Sequence, residues 1–135
     1  MSTPVKRPEA TPAVPAAPAA PLEPVQVVKP FGWLLIVASS IGVILATWLL
    51  YGVEAEGMWA GYRDGFTATV VLVCAMALNS SLPKRPFLGI IALAGILLIL
   101  FGVFLDDTIT AVTVTELGGG AVMLAGAILY GAGDR

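Results

Sequence analysis

Three ionisable side chains stand inside otherwise apolar stretches of this chain: Arg63, Asp64 and Glu116. A charge in hydrocarbon is expensive, so it persists where it is paired, reaches an interface or carries function. Two carboxyls and a guanidinium allow a structural ion pair, or groups lining a path for an ion. The other chemistry on offer is narrow. There is no histidine, which removes the commonest general base, metal ligand and pH switch. The single cysteine, Cys74, lies in an apolar run and has no partner for an intramolecular disulfide. A thiolate there is costly, so a packing role fits it better than a reactive one. No His, Cys or carboxylate cluster shows metal-ligand spacing. The run Gly118-Gly119-Gly120 lacks the Lys-Ser/Thr that a phosphate loop needs after its last glycine. Close helix packing suits it better. Gly118, Ala121 and Ala125 fall at i, i+3 and i+7, and Gly95 and Gly102 offer small residues on the preceding run. The sequence therefore assigns no catalytic residue, cofactor or metal, and no enzymatic activity is expected.

The elements that position these residues follow from composition. Of 135 residues, 58% are hydrophobic and only 12% charged, against about a quarter charged in soluble domains. The mean hydropathy is +0.93. A net charge of −2 and the lack of a basic patch exclude a nucleic-acid partner. Residues 31–51 and 86–105 carry no charge, and about 20 residues at 1.5 Å each cross a core of about 30 Å. Two further spans are expected at 58–78, with Arg63 and Asp64 in its first turns, and at 110–131, with Glu116 inside. The uncharged part of the second, 65–78, is short for a crossing, and a re-entrant or interfacial segment is the alternative. The connections are short enough to force antiparallel neighbours and leave no room for a soluble catalytic domain.

Residues 1–30 differ. Eight of the ten prolines lie here, with alanines between them. Proline removes backbone donors and fixes φ, which predicts a disordered, polyproline-like Pro/Ala tail. The first apolar run is longer than the roughly 7–15 residues of a cleavable signal, so it reads as an uncleaved anchor. Lys6, Arg7, Lys29, Lys84, Arg85 and Arg135 fall on one side of the expected membrane, and only Arg63 on the other. That asymmetry predicts both termini in the cytoplasm. Trp48, Tyr51, Trp59 and Tyr62 would form the outer aromatic belt, with Phe31, Trp33 and Tyr130 at the inner one. Ser39, Ser40 and Thr47 can bond back to their own helix.

A shift of 53 residues superimposes the halves without a gap: Gly42 on Gly95, Leu45 on Leu98, Trp48 on Phe101, Tyr51 on Phe104, Glu54 on Asp107, Gly65 on Gly118 and Ala68 on Ala121. Two hairpins in the same orientation would be related by an axis along the membrane normal. This layout resembles the SPW-repeat family of small bacterial membrane proteins, whose tandem two-helix repeats carry a Ser-Pro-Trp motif at the outer end of the first helix. Here residues 46–52 occupy that place, with Trp48 the motif residue present; Leu100-Phe101-Gly102 has none of it. The resemblance covers about residues 31–132. It implies an all-α membrane protein of four helices in two tandem hairpins, in a bacterial plasma membrane, and it carries over no catalytic residue.

Arg63 and Glu116 also coincide under the shift. They share a depth of about 7–9 Å below the outer helix ends, with opposite charge, so an ion pair clamping the hairpins is expected. Asp64, about 100° further round its helix, is expected to reach the outer interface. The function expected is that of a non-enzymatic accessory or structural membrane component, acting through partners. The alternative is a subunit of an oligomeric transporter or channel. The bilayer is the one sure partner, and a homo-oligomer or a larger membrane complex is the expected assembly.

Overall fold

The computed structural model describes residues 27–105 and 109–134. The expected tail at 1–26, and Asp106, Asp107 and Arg135, lie outside the described residues. The described chain has four helices: α1 Val28–Leu49, α2 Ala55–Ala77, α3 Lys84–Phe104 and α4 Thr110–Gly133. No strand occurs among the described residues. Helices α1, α3 and α4 are long and apolar enough to cross a membrane. Helix α2 is as long, but Glu56, Arg63 and Asp64 make it the most polar of the four. The first helix starts at Val28, ahead of the expected boundary at 30/31. Pro30 falls within its first turn, where a missing N–H costs nothing because that group has no partner inside the helix.

The helices ring the bundle in chain order, with α4 closing on α1. The tightest seams are backbone on backbone. A Cβ on Gly126 would lie 2.8 Å from the Gly32 carbonyl oxygen, and one on Gly120 would lie 2.6 Å from that of Gly95. Lipid tails are as apolar as leucine, so no hydrophobic force drives membrane helices together; close van der Waals contact does. Gly95 and Gly102 both face α4, Gly95 against Gly120 and Gly102 against Leu117 and Glu116. The expected face on α4 is corrected. Gly118 looks into open space, and Ala121 and Ala125 are exposed. The inward stripe is Glu116, Gly120, Met123, Ala127 and Tyr130. At about 100° per residue, the expected trio lies roughly 140–200° round from Glu116. The i, i+3, i+7 spacing found a face of small residues, but not the one turned to the bundle.

The aromatic belt needs the same correction. Trp48, Trp59 and Tyr62 point outward, whereas Tyr51 and Tyr130 are almost fully buried. Trp33 donates from Nε1 to the Ala75 carbonyl at 2.8 Å, and the Tyr130 hydroxyl donates to that of Leu78 at 3.2 Å. Both carbonyls belong to the last turn of α2, where no intrahelical donor follows. Ser39 and Ser40 donate to the Ile36 carbonyl, and Thr47 to that of Ile44. Cys74 packs in the main core beside residues such as Val71, Ile91 and Leu98.

Candidate buried ionic site

Four elements build one polar cluster in an apolar bundle. Arg63 and Asp64 sit in the third turn of α2, and Glu116 in the second turn of α4. Tyr51 follows α1 in a tight reversal. Gly52 has a positive φ of 80°, which costs a glycine little. Gly57 then lets the Tyr51 carbonyl lie where a Cβ would otherwise be. These two glycines turn the Tyr51 ring inward, under the start of α2.

There its hydroxyl donates to Asp64 Oδ2 at 2.5 Å. Arg63 donates from Nε to Asp64 Oδ1 at 3.2 Å and from Nη2 to Glu116 Oε1. The guanidinium carbon lies 4.8 Å from the centre of the Phe101 ring of α3, within cation–π range. The Asp64 and Glu116 side chains are fully buried, and that of Arg63 is 20% exposed. The structure thus brings Arg63 and Glu116 together across the diagonal of the bundle, where α2 and α4 barely touch otherwise.

Asp64 does not reach the outer interface; this expectation is overturned. It lies on the buried stripe of α2 with Ala60, Ala68, Val71 and Ala75. The spacing of 60, 64, 68, 71 and 75 could have shown this, since those positions share a helix face. Tyr51 and Phe101 were not singled out as partners of the charges. Tyr51 lies in a turn whose direction depends on Gly52 and Gly57, and Phe101 reaches Arg63 through tertiary packing.

The arrangement holds two carboxyls against one guanidinium. Glu116 Oε2 is buried with no hydrogen-bond partner among the described residues. Among the described residues no three His, Cys, Asp or Glu side chains converge so as to hold a metal ion. Most of the polar capacity is spent inside the cluster. Tyr51→Phe is expected to cost about 1.5–3 kcal/mol, the range for a hydrogen bond to a charged group. Unfolding of the reconstituted variant in denaturing detergent checks this, and an unchanged midpoint would show that Asp64 does not depend on Tyr51.

No family model, curated protein or solved structure matches this chain. Its function is therefore argued from the site and the fold.

Proposed function

We propose that this chain is a four-span integral membrane protein of a bacterial plasma membrane, with both termini cytoplasmic. We read it as two tandem hairpins of the kind found in SPW-repeat proteins, serving as a non-enzymatic accessory or structural component. The observation that carries this reading is the bonding of Arg63 to both Asp64 and Glu116 across the bundle. Catalysis and conduction need polar groups open to a substrate or to water, whereas both carboxyls are fully buried and bonded to Arg63. The described connections are a few residues long and hold no soluble domain. The position of Lys29, Lys84 and Asp134 around one end of the bundle agrees with a single cytoplasmic face.

The unpartnered Glu116 Oε2 favours a second reading, a subunit of an oligomeric transporter or channel. A buried carboxyl with a free oxygen is a site at which a proton or cation can be exchanged. Gentle solubilisation, followed by identification of what comes with the protein, separates the two. A defined complex with other membrane proteins supports the accessory role. A homo-oligomer that carries proton or ion flux in liposomes, lost in Glu116→Gln, transfers the case to the second reading. Topology is checked independently. Reporters placed after Arg135 and within 52–57 should report opposite sides of the membrane, and the same side for both would refute four crossings.

A further inference from the structure

At the end of the bundle away from the ionic cluster, a pocket of about 320 Å³ opens between α1, α3, α4 and the turn that follows α2. Lys29 from the first turn of α1 and Lys84 from the start of α3 line its mouth, and Trp33, Tyr130 and Asn79 line its wall. Among the described residues, two lysines and one carboxylate, Asp134, meet at this end. Lys29 donates to Asp134 at 2.7 Å, and that ammonium holds the Asp134 carboxyl below the ordinary aspartate value. Lys84 also feels Asp134, but its strongest electrostatic neighbour is the like charge of Lys29. Two ammonium groups from different helices therefore line one pocket, and of the two it is Lys29 that pairs with Asp134.

Two of the carbonyls near the pocket are already engaged. The ring N–H of Trp33 and the hydroxyl of Tyr130 already occupy the nearby carbonyls of Ala75 and Leu78. The starts of α1 and α3, which open here, have no side-chain cap, and uncapped N–H groups favour an anion. The Tyr130 ring, 5.2 Å from the Lys29 ammonium, adds an apolar wall beside the cations.

We propose that this pocket binds the phosphate of a net-anionic phospholipid, one whose headgroup carries no ammonium of its own, between Lys29 and Lys84. The proposal rests on the membrane reading above, which puts this end of the bundle at headgroup level. A phosphate there relieves the repulsion between the lysines and accepts from both. The aromatic walls suit the glycerol and upper acyl region that the same lipid brings. Lysines at a cytoplasmic membrane face attract anionic lipids, and pockets between helices can select a headgroup.

The test uses the full chain in nanodiscs of equal phosphatidylcholine and phosphatidylglycerol, with lipid retention read by native mass spectrometry. Retention of phosphatidylglycerol over phosphatidylcholine by about thirtyfold is expected, the scale set by two interfacial lysines. Lys84→Gln, which leaves the Lys29–Asp134 pair intact, should remove most of that preference, and K29Q/K84Q all of it. Arg85→Gln, which deletes the same charge outside the pocket lining, should leave it unchanged. Equal retention of both lipids, or a double variant that behaves as the parent, overturns the proposal. So does an equal loss in Arg85→Gln, which would mean diffuse attraction. Displacement of the lipid by millimolar inorganic phosphate overturns the lipid as source in favour of a soluble phosphate. Alkaline carbonate extraction keeps the two readings apart: release of the protein refutes the membrane reading, while a retained protein with no lipid preference refutes only the pocket.

Discussion

Arg63→Gln is expected to destabilise the protein by about 3–5 kcal/mol, the cost of breaking one side of a buried ion pair. The change leaves the carboxyls of Asp64 and Glu116, both fully buried, without the guanidinium that bonds both. It also removes the guanidinium from the face of Phe101. Glu116→Gln should cost less, about 1–3 kcal/mol, because the amide oxygen can still accept from Arg63 and Asp64 stays paired. This asymmetry follows from counting charges: two carboxyls depend on one guanidinium. Exchanging the residues at 63 and 116 should recover only part of the loss. The new carboxyl then stands next to Asp64, and the displaced guanidinium no longer has Phe101 in place. Unfolding of the reconstituted protein in denaturing detergent gives all three values. A clamp is refuted if Arg63→Gln is as stable as the parent, or if the exchange recovers nothing.

Neighbouring glycines in α4 should respond with opposite signs. Gly118→Ala is expected to raise stability by about 0.5–1 kcal/mol, since the added methyl meets open space and alanine is the better helix former. Gly120→Ala should lower it by about 1–3 kcal/mol or more. Its methyl would lie 2.6 Å from the Gly95 carbonyl oxygen and 3.0 Å from the Ile99 backbone nitrogen. Those are main-chain atoms of a packed helix, so α3 as a whole must move away. Gly120→Val should part α3 from α4 altogether, seen as new cross-linking or proteolysis at that seam. Equal effects at 118 and 120 would mean that α4 is rotated from the orientation described.

Much of the fold was legible from its residues because three of its helices are long and apolar enough to cross a membrane, and crossing a bilayer imposes simple demands. A backbone in hydrocarbon must satisfy its own hydrogen bonds, which selects helices, and the thickness of the core sets their length. Uncharged runs at 31–51 and 86–105 sufficed to place α1 and α3 to within a few residues. A fixed rise per residue likewise put Arg63 and Glu116 at one depth, and two opposite charges at one depth in an apolar medium have strong reason to meet.

What the sequence could not decide was the direction in which each helix faces. In a soluble bundle the polar face marks the outside. Here lipid and core are equally apolar, so the hydrophobic pattern that would orient a helix is faint. Gly118 and Gly120 read alike as small residues, yet one faces open space and the other fits against the backbone of α3. Asp64 was expected to turn toward the interface, but the small residues Ala60 and Ala68 on its stripe of α2 carry it inward. Tyr51, at the membrane edge by count, is drawn beneath the bundle by the reversal at Gly52 and the space left at Gly57. Depth is a one-dimensional property that residue counting measures along each helix. Rotation about the helix axis is settled only when neighbouring backbones compete for the closest approach, and that competition is tertiary.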